Sequence, residues 1–171
     1  GGSPDFENLA TLASEGYLAR LNNPTPWTTR MMPRYIGMSR GLCAVLGSFG
    51  FGQGGTAALI RFTPQAARAA GLCRWLLEDA LPAVPRMPGL GSAHLLRGAQ
   101  VAAMTQEQRI RGADRGVDTA VVITGYDSDM VAAYAKELCT AGGLRDRGQG
   151  EPTRAIYRWS YSVASSEFEG P

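Results

Sequence analysis

His94 is the residue of this chain best suited to chemistry near neutral pH, and it is the only histidine in the sequence. It stands in a short run of strand-forming residues, where it alternates with Ser92 and Leu96 on one strand face. An imidazole can take up or give away a proton at physiological pH, so His94 is a candidate general base. The same pattern is also typical of a structural histidine that is held by hydrogen bonds.

A set of aromatic and arginine residues could bind a ligand. Alternation along the last predicted strand puts Tyr157, Trp159 and Tyr161 on one face, which suits a core, an interface or an aromatic ligand. Arg61 and Arg158 lie on strands that we expect to be partly buried, and a buried guanidinium needs an anionic partner. That partner is either a carboxylate of the protein, which we favour, or a carboxylate of the substrate.

Two further motifs have a formal likeness to known sites, and neither is predicted to be one. The segment Gly50 to Gly55 matches G-x-G-x-x-G, but a dinucleotide fingerprint needs a helix next and here a strand is predicted. Glycines suit tight turns, so we expect a flexible hairpin that could act as a lid. Asp127 and Asp129 could hold a metal, but their place at a helix start favours capping. No cofactor and no metal are predicted.

Composition excludes several classes of partner. The net charge of +2 is too small to indicate a nucleic-acid surface. No apolar run approaches the length of a membrane span, so no membrane partner is expected. The cysteines at positions 43, 73 and 139 are odd in number and widely spaced, which indicates a reducing compartment. The sequence therefore predicts a cytoplasmic protein.

The pattern of apolar residues and turn residues predicts alternating strands and helices. Thr25-Pro26 and Thr63-Pro64 each join a capping hydroxyl to a proline, as at a helix start, and Pro82 should end the second helix. The predicted strands lie near residues 17–22, 42–50, 56–63, 92–97, 117–125 and 154–163. The predicted helices span 26–40, 65–81 and 128–139, and residues 142–152 are predicted to form a loop.

These elements form three strand–helix–strand units near residues 17–51, 56–98 and 117–163, between an N-terminal extension (1–14) and a tail (164–171). Two such units in succession make an α+β ferredoxin-like sandwich, with helices on one face of an antiparallel sheet. The other face stays partly apolar and must be covered. A second copy of the chain is the usual solution, so we expect a homodimer, unless an internal repeat closes the barrel.

The stretch from Thr56 to Gly98 also resembles a known family. Its first strand, the helix that carries Trp75 seven residues before Pro82, and the Pro88-Gly89 turn resemble one repeat of the dimeric α+β barrel superfamily. This superfamily includes EthD-like proteins, cofactor-free monooxygenases, muconolactone-isomerase-like enzymes and haem-binding relatives. Many EthD-like members carry a Glu-His pair before the proline, where this chain has Asp79-Ala80. The resemblance therefore implies the fold, a dimer and a pocket between helices and sheet, without the usual histidine.

Together these observations predict an EthD-like protein that acts on a small hydrophobic or aromatic compound. As an enzyme it would need no metal or nucleotide, and it would catalyse an isomerisation or a cofactor-independent oxygenation. His94 would be the general base, and the predicted binding residues are Arg61, Tyr157, Arg158, Trp159 and Tyr161. The alternative is a non-catalytic ligand-binding or structural barrel. Haem ligation by His94 is a third option that the resemblance implies.

Overall fold

The computed structural model describes residues 15–34, 43–98, 118–140 and 142–160. The chain divides into two compact units, one made of residues 1–45 and 97–118 and the other of residues 46–96 and 119–171. The N-terminal extension (1–14) and the tail (164–171) lie outside the described residues.

The described N-terminal residues of the first unit form helices, which corrects the prediction of a strand at 17–22. Helix α1 spans Glu15–Asn22, and α2 spans Pro26–Met31 with a 3-10 turn at Met32–Arg34. Leu18, Ala19, Arg20 and Leu21 are strong helix formers, and Gly16 falls in the first turn, where it breaks nothing. The predicted cap is confirmed, because Thr25 Oγ1 accepts a hydrogen bond of 3.2 Å from the amide of Thr28.

The sheet has five strands, and it confirms the predicted α+β fold class. In chain order they are β1 Cys43–Phe49, β2 Thr56–Pro64, β3 Leu90–Gly98, β4 Thr119–Gly125 and β5 Gly148–Arg158. They lie side by side in the order β1-β3-β4-β2-β5, and β2 pairs antiparallel with both β4 and β5. The last four strands have the ferredoxin-like arrangement of two strand–helix–strand units. Strand β1 adds an edge strand beside β3.

The helical segment between β2 and β3 is longer than predicted and changes its winding along its length. It comprises a 3-10 turn Ala66–Arg68, α3 Ala69–Trp75, a π-helical segment Leu76–Ala80, α4 Leu81–Ala83 and a 3-10 turn Val84–Arg86. The prediction that Pro82 ends the helix is therefore wrong. The amide of Leu81 bonds to the carbonyl of Leu76, five residues back. Pro82 then stands in the first turn of α4, where its missing N–H leaves no bond unmade.

The start of the same helical segment also differs from the prediction. Thr63 and Pro64 belong to the end of β2 rather than to a helix cap, and Gln65 precedes the first helical turn without a side-chain cap. The pairing of Thr63 with Gln149 and of Pro64 with Gly148 explains this difference, because strand pairing continues through both residues.

Helix α5 spans Ser128–Leu138, and its predicted cap is confirmed. The Asp127 carboxylate accepts bonds from the amides of Asp129 and Met130 at 2.9 and 3.1 Å. The predicted loop at 142–152 is wrong, because α6 spans Leu144–Arg147 and β5 follows at once. No helix in the described part of the chain is long and apolar enough to cross a bilayer.

The core fills the space between one sheet face and the helices. Side chains that alternate along β2, β3 and β4 face the helices and are buried: Ala58, Ile60, Phe62, Ala93, Leu95, Val121 and Ile123. Helix residues complete the core: Leu72, Leu76, Leu81, Val84, Val131, Ala135, Leu138 and Leu144. The residues between them in the strands, which include Ser92, His94 and Thr124, point to the opposite face of the sheet.

The glycine-rich segment 50–55 crosses the sheet end and is not the hairpin that the sequence predicted. Strands β1 and β2 are separated by β3 and β4, so the connection between them must pass over both. A Cβ on Gly91 would lie 2.5 Å from the carbonyl oxygen of Gly52, and one on Gly54 would meet the carbonyl of Gly125. Backbone therefore packs on backbone, which only glycine permits at this closeness. We call residues 50–55 the glycine crossover.

Candidate functional site

His94 is half-buried on the sheet face opposite helices α3 to α6. Its Nδ1 lies 2.9 Å from Oγ of Ser48 on the edge strand β1, and its Nε2 lies 3.2 Å from Oγ of Ser92 on its own strand. Ser92 continues to Thr124 on β4, with 2.7 Å between the two hydroxyl oxygens. Thr124 in turn donates to the carbonyl of Gly52 in the glycine crossover at 2.9 Å. We call Ser48, His94, Ser92 and Thr124 the hydroxyl–imidazole row.

The direction of every hydrogen bond in this row follows from the bond at the Thr124 end. The Thr124 hydroxyl gives its single hydrogen to the Gly52 carbonyl, so toward Ser92 it can only accept. Ser92 therefore donates to Thr124 and accepts from the Nε2–H of His94. In the neutral imidazole, Nδ1 is then the unprotonated nitrogen, and it accepts the hydrogen of the Ser48 hydroxyl. The arrangement orients a base toward Ser48.

Burial of the imidazole lowers the pKa of His94 below its ordinary value of 6.5. We expect the resonances of this single histidine to titrate with a midpoint below 6.5 in the native protein and near the ordinary value in concentrated urea. The unfolded chain binds the proton more tightly than the folded chain does. Neutral His94 therefore contributes stability above the unfolded pKa. This contribution is lost as the pH falls through the unfolded pKa toward the folded pKa. NMR titration in both states measures this, and equal midpoints would contradict it.

Arg61 and Tyr157 share the sheet face of His94 but lie away from it. Tyr157 pairs with Ala57, which pairs with Thr124, and directly paired residues point to the same face. Tyr157 stands three strands from β3, or about 14 Å at the usual strand spacing. Arg61 stands on β2, two strands from β3, or about 10 Å at the same spacing. The structure therefore does not bring these predicted binding residues together with the imidazole.

The other predicted binding residues are placed differently. Arg158 is exposed rather than partly buried, because it lies on the edge strand β5, and it points to the face opposite Tyr157. Trp159 follows the last strand residue, and its amide donates to the carbonyl of Gly55 at 2.8 Å. The predicted strand continues through residues 159 and 160, which is wrong because β5 ends at Arg158; the rest of the prediction, residues 161–163, lies outside the described residues. Tyr161 lies outside the described residues.

A groove of about 400 Å³ opens on the helical side of the second unit. Its walls come from the helical segment between β2 and β3, from α5 and from the chain that follows each of them, and they include Trp75, Asp79, Met87, Tyr134 and Glu137. The Tyr134 hydroxyl donates to the carbonyl of Ala80 at 2.8 Å. Burial and the nearby Glu137 carboxylate raise the pKa of Tyr134. His94 does not line this groove.

Sequence reasoning missed Ser48 and Thr124, and it noted Ser92 only as a neighbour of His94. The serine two residues before the histidine is a usable local signal, since both side chains share a strand face. Ser48 and Thr124 come from distant parts of the sequence, 46 residues from His94 and 32 from Ser92. Nothing in the local sequence connects them.

The described residues contain no group of three or more histidine, cysteine, aspartate or glutamate side chains placed to hold a metal ion. Haem ligation by His94 also does not fit, because both imidazole nitrogens already have hydroxyl partners. The site is therefore a row of hydroxyl groups around one neutral imidazole.

Comparison with known proteins identifies the fold. No family model and no curated protein matches the chain. A solved structure described as an anthrone oxidase-like protein superposes with a TM-score of 0.55 at 13% identity, covering 91% of this chain and 67% of that one. The heme-degrading enzyme LmHde from Listeria monocytogenes gives a TM-score of 0.44 at 12% identity, covering 72% of this chain and 74% of that one. The chain thus shares an α+β, ferredoxin-like fold with an antiparallel sheet.

Proposed function

We propose that this protein is an enzyme that moves a proton on a small hydrophobic or aromatic molecule without a metal or a nucleotide. His94 is the general base in this proposal. The observation that carries it is the hydroxyl–imidazole row, which presents Nδ1 of a neutral imidazole toward the exposed Ser48 hydroxyl. A bound molecule with an acidic O–H or C–H would transfer its proton to Ser48, whose own hydrogen passes to Nδ1.

The proposed reaction class is an isomerisation or a cofactor-independent oxygenation. Both begin with removal of a proton from a carbon or oxygen acid, and a base with a pKa near the working pH suits that step. The fold is shared with a protein described as anthrone oxidase-like. An anthrone is an aromatic compound with an acidic C–H group, so this neighbour agrees with the proposed substrate class. Tyr157 and Arg61 remain candidate binding residues because they share the sheet face with His94.

A second candidate function is non-catalytic binding of a small ligand. The helix-side groove favours it, since this groove has a volume of about 400 Å³ and is lined by Trp75, Met87 and Tyr134 without His94. Arg147 already lies 4.5 Å from the centre of the Trp75 ring, so the indole face is partly covered. A ligand would contact the remaining apolar wall.

One experiment separates the two candidates. A thermal-shift screen of anthrones, aromatic acids and quinones finds ligands, and turnover of each ligand is followed by absorbance. We expect His94→Gln to lower turnover at least about 100-fold, as loss of a general base does, while the ligand still raises the melting temperature. Tyr134→Phe, in the groove, should leave turnover unchanged. Binding that depends on Tyr134, with no effect of His94→Gln on any activity, would support the second candidate instead.

Haemin, added as a further ligand, should give no sharp Soret band.

A homodimer through the open sheet face is part of the proposal. Leu59 and Val122, on β2 and β4, are half-buried there, and apolar side chains on a sheet face are usually covered. A second copy would bury them against its own sheet and leave Ser48, on the edge strand β1, open to a substrate. Sedimentation as a monomer at micromolar concentration would contradict this.

A further inference from the structure

We propose that Ser48 is a nucleophile that takes an acyl group from activated esters, with His94 as its base. This chemistry does not rest on the proposed proton transfer, because it forms a covalent bond to the protein. It follows from the geometry of the hydroxyl–imidazole row alone.

The row has the three parts that activate a serine. The nucleophile and the base are in hydrogen-bond contact, with 2.9 Å between Ser48 Oγ and His94 Nδ1. The base is oriented by a third group, since its other nitrogen donates to Ser92 at 3.2 Å. This sequence of nucleophile, base and orienting group is the general signature of an activated hydroxyl. Ser92 and Thr124 act here as positioning residues.

Among the three hydroxyl groups of the row, only that of Ser48 can meet a substrate. Ser92 is 3% exposed and Thr124 is 4% exposed, whereas Ser48 is exposed on the edge strand β1. Its single hydrogen is committed to Nδ1, so its oxygen lone pairs are free to attack. The exposure of the hydroxyl group and the direction of its hydrogen bond therefore both indicate Ser48 as the nucleophile.

The neighbours of Ser48 indicate the class of ester. Leu46 precedes Ser48 by two residues, and Leu96 follows His94 by two, so both share the face of the row. Both are half-buried and apolar. A short apolar acyl group suits this surface, and a phenol or an alcohol is the leaving group.

The proposed step balances in atoms and charge. Ser48 Oγ forms a bond to the ester carbonyl carbon while Nδ1 of His94 takes the serine proton. The carbon–oxygen bond to the leaving group then breaks, and the imidazolium returns the proton to the departing oxygen. Water attacks the acyl-serine in the same way, releases the acid and restores the serine. No oxidant or reductant is needed.

The test uses p-nitrophenyl acetate and a fluorophosphonate probe, which form an acyl and a phosphonyl ester on activated serines. Peptide mass spectrometry locates each adduct. We expect both adducts on Ser48, with labelling that accelerates as His94 loses its proton. Ser48→Ala should abolish the adduct, and His94→Gln should slow labelling at least about 100-fold. The matched control is Ser128→Ala, since Ser128 is another exposed serine, and it should label like the parent protein.

The outcomes are decisive even if one variant folds poorly. Circular dichroism and a melting curve verify each variant, and labelling of the unaltered protein needs no substitution at all. Adducts spread over several serines, or an unlabelled Ser48 in the folded parent protein, would overturn the proposal. Labelling of Ser48 with no proton-transfer activity on any aromatic compound would support the nucleophile proposal and reject the proposed function. Proton-transfer activity without labelling of Ser48 would support the proposed function and reject the nucleophile proposal.

Discussion

Replacing Gly54 by alanine should destabilise the protein by at least about 2 kcal/mol, since a left-handed backbone and a steric overlap each cost an L-residue 1–2 kcal/mol or more. Gly54 has a φ of +66°, and a Cβ there would meet the carbonyl of Gly125, which is backbone and cannot swing away. Urea unfolding followed by tryptophan fluorescence measures the change. The substitution should also weaken the bond from Thr124 to Gly52, because it shifts the glycine crossover.

The neighbouring glycine provides the matched control for this prediction. Gly55 has no atom within 4 Å of the position of an added Cβ, and its φ is not in the positive range. Gly55→Ala should therefore change stability by no more than about 0.5 kcal/mol. If both substitutions cost the same, the close approach of the crossover to Gly125 does not contribute to stability, and the description of that contact is wrong.

The second large effect is expected at Ile60, at the centre of the core. Its side chain is 0% exposed and faces the helices from an inner strand. Ile60→Ala should lower the free energy of unfolding by about 2–5 kcal/mol, which combines the lost burial with the cavity left behind. Chemical denaturation with an unchanged dependence on denaturant concentration would show that the loss comes from the native state.

Ile156 offers the same residue type on the same sheet face at an exposed position. It pairs with Ala58 on the edge strand β5 and is 43% exposed. Ile156→Ala should cost less than about 1 kcal/mol, since half of its surface already meets water. A similar loss at both positions would mean that Ile156 is buried in solution. The proposed homodimer forms through the opposite sheet face, so dimerisation would not explain such a result.

Elements with strong local signals were predictable from the sequence. Strands β2, β3 and β4 and helix α5 lie within a few residues of their expected places, because apolar alternation and the Asp127 cap act over short distances. The strand predicted at 17–22 failed because its residues carry both helix and strand character, and their helix propensity prevailed. The prediction that the helix ends at Pro82 failed because the π-helical segment before it lets the chain continue past a proline that would stop a regular helix.

The site was less predictable than the fold, for a physical reason. A sequence shows which residues share one strand face, and this identified His94 with Ser92 as its neighbour. It does not show which strands lie side by side. The place of β1 next to β3, and so the contact of Ser48 with His94, depends on the path of the glycine crossover. The glycines of residues 50–55, which predicted a turn, in fact allow the backbone of the crossover to pack closely on the ends of two strands.

The strand order also fixes when the site can form during folding. Among the described strands, β3 is the only neighbour of β1, and β3 begins about 40 residues after β1 ends. A nascent chain that has emerged only as far as the helices after β2 therefore has no partner for β1, and loop closure over that distance must come first. The Ser48–His94 contact is consequently a long-range contact that forms only after β1 and β3 have paired. Acyl labelling of Ser48 would then count molecules with this pairing in a refolding experiment.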